Sequence, residues 1–438
     1  MSDRDVCSAV EGADAAFQEW RRVSTSERIK LLSALAASLR GKAEEAAELM
    51  NREMGKPVAQ GKAEVMKCAY LVDWYVDHGA TFLADTEHPP LPGFRRSYVA
   101  YKPLGVILAI EPWNFPFWQV IRMAVPTLLA GNAVLLKHAP NCFGSALTLE
   151  ELFAALPGLP RGLFKALIID VPQVSDVLGH PAVRGVALTG SEAAGRAVAA
   201  KAGSLLKKAL IELGGSDGYA VFADADLDSA ADAVVNGRIL NTGQVCISPK
   251  RAIVVRSVKE SFEQKVVERL ARKAYGVDFG PMVNARAREE VAKQVVDTQR
   301  CGARLLMGGV SVKAPDGDVG EAFMAPTVLT DVRPGMAAFD QEVFGPVISI
   351  IAADDERQAV ELANTSKYGL GGAVFTEDHA KGERVAAEEI EAGMCFVNDF
   401  VRSDPSLPFG GVKNSGLGRE CSMFGILEFV NVKTICVK

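Results

Sequence analysis

Cys246 closes the run Asn241-Thr-Gly-Gln-Val-Cys, between an apolar helical segment that ends at Leu240 and a strand-like run that starts at Arg251. A turn at the edge of a core is the kind of place a nucleophilic thiol needs, because amides and neighbouring side chains there can stabilise a thiolate. Buried cysteines are more often inert small hydrophobes, so the motif alone leaves both readings open. Other reactive residue types stand far away in the chain. Glu212 precedes Leu213-Gly-Gly, a turn that brings a strand-end carboxylate to a cleft rather than to a helix face. Asn114, in Pro112-Trp-Asn-Phe-Pro116, offers an amide that can cap a helix starting at Pro116. Leu188-Thr-Gly-Ser191 leads from a strand into a helix; Gly190 permits a tight turn, and Ser191 with the free helical amides can meet a phosphate. Such turns also arise for structural reasons alone. Arg122 interrupts the apolar run Val120-Ile-Arg-Met-Ala-Val, where burial demands an anion. That anion is either the carboxylate of a bound molecule, held in bidentate geometry, or a protein acid.

The elements that must carry these residues follow from hydrophobic spacing. Helices are expected over 10–20, 26–50 and 62–83, with Ser26 as a cap and Pro57 ending the second. A breaker at 89–93 leads to a strand at 97–101. Strands at 106–110, 133–136, 166–169 and 185–188 then alternate with helices such as 117–129 and 146–156. A second alternating set carries strands at 253–255, 347–351, 372–375 and 394–397. Alternation of this kind predicts an α/β fold of two doubly wound parallel sheets covered by helices on both faces. The cofactor-type unit is expected over 1–84 and 103–212, and the catalytic unit, opened by the thiol, over 213–410.

Composition narrows the classes. A chain of 438 residues that is 49% hydrophobic can bury more than one large core. The net charge of −6 comes with scattered lysines and arginines and no basic stripe, which argues against nucleic acid as a partner. No apolar run approaches the roughly twenty residues that cross a bilayer, and the start Met1-Ser-Asp-Arg-Asp does not read as a presequence. The eight cysteines form no C-x-x-C pair and have irregular gaps, so neither a zinc site nor a disulfide framework is expected. Free thiols make the cytoplasm the expected compartment.

Six strings, taken in order, resemble the aldehyde dehydrogenase family across nearly the whole chain: Glu111-Pro-Trp-Asn-Phe-Pro-Phe-Trp, Thr189-Gly-Ser, Glu212-Leu-Gly-Gly, the Cys246 motif, Glu342-Val-Phe-Gly-Pro and Pro408-Phe-Gly-Gly-Val-Lys-Asn-Ser-Gly. Finer detail, in Ile211-Glu-Leu-Gly-Gly-Ser-Asp, Lys137-His-Ala-Pro and the ending Gly416-Leu-Gly-Arg-Glu, looks most like its NAD(P)-dependent succinate-semialdehyde group. The resemblance implies a Rossmann-like cofactor domain, a catalytic domain, and a small β arm over 85–102 and 426–438 that joins copies into a homodimer or homotetramer.

It also implies roles. Cys246 attacks the aldehyde, expected as a thiolate; Asn114 and the Cys246 backbone N–H hold the oxyanion; hydride passes to the nicotinamide; Glu212 activates water to hydrolyse the thioester. NADP or NAD is held by Trp113, Lys137, Thr189, Gly190, Ser191, Glu342 and Phe344. Many relatives carry a ribose-binding glutamate three residues after the lysine, where this chain has Pro140; without it NADP is expected to be accepted. Arg122 and Ser403 match the residues that hold the substrate carboxylate. No metal is expected. Two departures stand out. Ser248 replaces a second cysteine that some relatives carry two residues after the nucleophile, and 271–280 is shorter than the family's usual connection, leaving its docking open. Rival readings are another semialdehyde or an aliphatic aldehyde as substrate, acyl transfer to coenzyme A, a non-redox cysteine acyl hydrolase, or a silent binding protein.

Overall fold

The computed structural model describes residues 1–310 and 320–438; the stretch 311–319 of the expected 213–410 unit lies outside the described residues. One sheet holds the parallel strands Lys208–Glu212, Val183–Thr189, Val106–Glu111, Ala133–His138 and Phe164–Ala166 in that spatial order, with Gly416–Leu417 antiparallel beyond Lys208–Glu212. The chain lays down Val106–Glu111 first and builds outward through Ala133–His138 and Phe164–Ala166. It then returns to add Val183–Thr189 on the other side. The order therefore reverses between Val106–Glu111 and Val183–Thr189, and the crevice beyond their carboxyl ends is where such sheets bind ligands. The motifs starting at Glu111 and Thr189 occupy those two ends.

A second sheet runs Arg304–Met307, Thr327–Thr330, Val347–Ala353, Pro249–Val255, Asp217–Val221, Gly371–Phe375 and Met394–Val397. All its strand pairs are parallel except the one made by Arg304–Met307. Both central strand sets are buried on both faces, as expected for parallel sheets covered by helices. The expected α/β class with two doubly wound sheets is therefore what the chain adopts. A third, antiparallel sheet of Thr86–His88, Arg96–Pro103 and Val430–Val437 pairs Pro103 with Val430 and Arg96 with Val437.

Three local expectations are corrected. The helix expected over 26–50 is two helices, Thr25–Gly41 and Ala43–Met54, broken at Gly41-Lys42. Glycine at the end of the first helix and the non-helical Lys42 separate them. The cap is Ser24, not Ser26, because Ser24 has Glu27 at the third helical position and its Oγ accepts the Glu27 N–H at 3.3 Å. The strand expected at 166–169 is Phe164–Ala166. Beyond Leu167, whose N–H still bonds Leu136 O at 2.7 Å, the chain must leave the sheet so that Asp170 can cap the helix Val171–Gly179.

Helix Trp118–Leu129 is buried along its whole length, packed between the first sheet and helix Val58–Phe82. Among the described residues no helix is long and apolar enough to cross a membrane.

Candidate active site

Helix Leu227–Ile239 runs into a turn in which Asn241, Thr242 and Gly243 all have left-handed backbone, with φ of 48°, 57° and 73°. Two consecutive non-glycine residues in that region are strained, and side-chain bonds hold them there. Asn241 Nδ2 donates to Asn114 O at 2.9 Å, and Thr242 Oγ1 donates to Gly280 O at 3.0 Å while accepting from Gly280 N at 2.9 Å. Gln244 Oε1 accepts the Val283 N–H at 2.8 Å. Gly243 must be glycine, since a Cβ there would lie 2.2 Å from Gly345 O. The polar letters of the cysteine motif thus hold the turn, and the turn delivers Cys246. Lys250 Nζ then clamps the exit by donating to Cys246 O at 2.6 Å and Val245 O at 2.9 Å.

The shortened connection is docked onto the same turn. Gln60 Nε2 donates to Asp278 O at 2.7 Å, and Gln60 Oε1 accepts the Asn241 N–H at 2.9 Å, so one side chain ties 271–280 to the thiol's support. Ser248 also has structural work. Its Oγ donates to Val245 O at 3.0 Å and accepts from the buried Arg238, whose other nitrogens reach Val347 O at 2.7 Å and Val343 O at 2.5 Å.

Asn114 does not cap its helix. The first helical amides, Phe117 N and Trp118 N, both donate to Glu64 Oε1 at 2.9 Å, and Glu64 is in turn paired with buried Lys56, whose Nζ donates to Asn114 O at 2.8 Å. Asn114 Nδ2 donates to Gln244 O at 3.1 Å, which leaves its second N–H free. The Cys246 backbone N–H has no hydrogen-bond partner among the described residues. Two uncommitted donors therefore stand beside the thiol.

Glu212 ends its strand and is fixed by the tail motif. Leu213 N donates to Ser415 O at 2.9 Å, and Ser415 Oγ donates to Gly214 O at 2.8 Å. Gly214 is held bare because a Cβ would meet Glu342 Oε2 at 2.1 Å. The Glu212 carboxyl is buried and faces the thiol. Burial raises its pKa to about 8, with Arg122 opposing and Glu420 adding to the shift. Burial likewise pushes the Cys246 thiol well above its ordinary value, with the charge of Glu212 reinforcing it. In this apolar setting burial holds both groups toward their neutral forms, and the attacking thiolate arises as the thiol passes its proton on.

Two cavities meet at Cys246. One, of about 250 Å³, brings together Trp113, Asn114, Thr189, Gly190, Ser191, Glu212, Glu342 and Phe344. Ser191 caps helix Glu192–Ser204, its Oγ accepting from Ala194 N at 3.3 Å; Glu342 Oε1 accepts the Gly215 N–H at 3.1 Å. The bare turn at Gly190, the helix start and the Trp113 and Phe344 rings, set edge to face with centres 5.9 Å apart, fit the phosphate and nicotinamide ends of a dinucleotide. Lys137 and Pro140 do not line this cavity. Lys137 lies on the neighbouring strand, in register with Ile110, and burial lowers its pKa.

The other cavity, of about 370 Å³, carries Phe115, Trp118, Arg122, Ser403 and Phe409. Among the described residues only Cys246 and Gln119 line both. Arg122 is in this wall, but the acid it requires is supplied by the protein. Its Nη2 is 2.6 Å from Glu420 Oε2 and 3.9 Å from Glu212 Oε2, and its guanidinium stacks 4.2 Å from the Phe409 ring centre. Of the two kinds of anion left open by the sequence, a protein acid stands beside this guanidinium. Breaking such a buried pair costs about 3 to 5 kcal/mol.

Sequence reasoning missed Glu420, Lys250, the Lys56–Glu64 pair and Lys67, which also lines the larger cavity. Glu420 was visible in Gly418-Arg-Glu, and Lys67 as a lone cation in Val65-Met-Lys-Cys-Ala.

The family model described as aldehyde dehydrogenase family matches residues 1–435. A protein of Escherichia coli named succinate semialdehyde dehydrogenase (NAD(P)+) Sad is 43% identical over 437 residues, covering 98% of this chain and 93% of that protein. A Deinococcus radiodurans protein named succinate-semialdehyde dehydrogenase (NADP(+)) is 41% identical, covering 99% of this chain and 91% of that one. The crystal structure of succinic semialdehyde dehydrogenase from Streptococcus pyogenes, in complex with NADP+ as the cofactor, superposes with a TM-score of 0.94 at 36% identity, covering 99% and 95% of the two chains.

Proposed function

Since this chain belongs to the aldehyde dehydrogenase family, we propose that it oxidises succinate semialdehyde to succinate with reduction of NAD(P)+. One observation carries the reading: the thiol of Cys246 stands where two cavities meet, with a buried carboxyl and two free N–H donors around it.

Cys246 Sγ adds to the aldehyde carbon as its thiol proton passes to solvent water. Asn114 Nδ2 and the Cys246 backbone N–H hold the resulting oxyanion, each worth about 3 kcal/mol in the transition state. NAD(P)+, when bound, supplies the acceptor for the hydride lost from that carbon. The carbon is then a thioester on Sγ. Glu212 takes a proton from water, the water oxygen adds to the acyl carbon, and Sγ departs with succinate released.

The test is absorbance of reduced nicotinamide with succinate semialdehyde, with and without coenzyme A. Turnover without coenzyme A is expected. Turnover only with coenzyme A would make the enzyme a dehydrogenase that passes its acyl group to coenzyme A, and none with either would leave a non-redox acyl hydrolase or a binding protein.

For the cofactor, Thr189, Gly190 and Ser191 receive a phosphate, while Trp113, Glu342 and Phe344 enclose the nicotinamide ribose and ring. Lys137 serves the adenosine ribose. With Pro140 at the first turn after that strand, no carboxylate there repels a 2′-phosphate. Pro140→Glu is expected to shift the NADP-to-NAD ratio of kcat/KM toward NAD by about tenfold or more, on the scale of one lost charge-assisted contact. An unchanged ratio in steady-state assays would assign the discrimination elsewhere.

The units 1–84 with 103–212, and 213–410, are the cofactor and catalytic domains of this reading, and 85–102 with 426–438 the arm that joins copies into a homodimer or homotetramer. An eight-residue edge strand, Val430–Val437, with one side unpaired among the described residues, supports the last point. The unpaired thiols fit a reducing compartment, the cytoplasm.

A further inference from the structure

Three cations line the larger cavity: Lys67, Arg122 and Arg402. Two of them have an acid. Arg122 is paired with Glu420, and Arg402 with Asp399. The cavity's own carboxylate, Glu64, is held by Lys56 and by two backbone amides. Lys67 forms no ion pair among the described residues. Its Nζ donates to Ser403 Oγ at 2.7 Å and lies 4.1 Å from the centre of the Trp118 ring. An ammonium carries three N–H donors, and Ser403 takes one. Because Ser403 accepts that bond, its own hydroxyl hydrogen is free to donate.

A largely buried cation without an anion, beside a free hydroxyl donor and an aromatic wall, is an incomplete arrangement that a carboxylate completes. We propose that Lys67, acting with Ser403, binds the carboxylate end of the substrate and selects aldehydes that carry one, while Arg122 is a positioning residue engaged with Glu420. The proposal rests on the reading that the substrate is a short aldehyde with a terminal carboxylate, and it names the residue that recognises that end.

Burial lowers the Lys67 pKa to about 8; Arg122 acts in the same direction, and Cys421, Cys68 and Asp404 oppose it. The free enzyme therefore carries the charge at neutral pH and loses it as the pH rises through about 8.

The experiment measures kcat/KM for succinate semialdehyde and for butanal, which matches it in length without the charge, and follows their ratio. In Lys67→Met the ratio should fall about ten- to a hundredfold, chiefly through KM for the semialdehyde, the scale of one charge-assisted hydrogen bond. Lys67→Arg, which keeps the cation, should retain most of it. In the wild type the ratio should decline above about pH 8, and in Lys67→Arg it should not, because guanidinium stays protonated there. An unchanged ratio in Lys67→Met, or equal losses for the two aldehydes, overturns the proposal. If the wild type oxidises both aldehydes equally well, the substrate reading itself fails and takes this one with it. If Lys67→Met does not fold, the pH profiles of the wild type and Lys67→Arg decide.

Discussion

Cys246→Ala should abolish aldehyde oxidation, a fall on the order of 10⁴-fold or more, while NAD(P)+ binding stays nearly intact. Among the described residues Cys246 is the one cysteine that lines either cavity of the site. Cys68, Cys142 and Cys421 are buried elsewhere, and burial raises each of their thiols. The substitution removes a single sulfur. The turn that presents it is held by Asn241, Thr242, Gln244 and Lys250, none of which bonds the sulfur. Steady-state assays with the semialdehyde, together with a fluorescence titration of reduced cofactor, check both halves. Substantial residual turnover would remove the thiol from the chemistry.

Glu212→Gln separates the two halves of the reaction. The glutamine keeps the volume and loses the base. One equivalent of reduced cofactor per site should appear as a burst, after which turnover stalls with the acyl group on Cys246, detectable as a mass increment. The pH profile adds a sign. Only ionised Glu212 can take a proton from water, and burial raises its pKa to about 8. Thioester hydrolysis in the wild type should therefore accelerate as pH rises toward about 8 and level off beyond it, while residual hydrolysis in the variant lacks that rise. Unchanged steady-state oxidation in Glu212→Gln would exclude Glu212 as the base.

What could be read from the sequence was whatever depends on neighbours in the chain. The alternating strands of both sheets, the turn after Thr189 and the strand end at Glu212 are local patterns, and apart from the strand shifted to Phe164–Ala166 each expected one appears where spacing places it. The helix caps are local too, yet Ser24 and Ser26 compete at two residues' separation, and only the reach to Glu27 decides between them. The partners of buried charges were not legible. Arg122 meets Glu420 only because the tail crosses back over the first sheet, and Lys67 meets Ser403 across most of the chain. The acid at Arg122 was posed as a question by apolar flanks and answered by tertiary contact. The left-handed Asn241 and Thr242 were likewise hidden, since nothing in their types requires that backbone.

Among the described residues the two cavities share only Cys246 and Gln119 as lining. A ligand touching the Trp118 wall and one touching the Trp113 wall meet different side chains up to the sulfur. A compound built to fill the smaller chamber and one built to fill the larger would collide only at the sulfur, so linking the two across that single point would yield a ligand whose halves answer to different neighbours and whose grip on this enzyme exceeds that of either half.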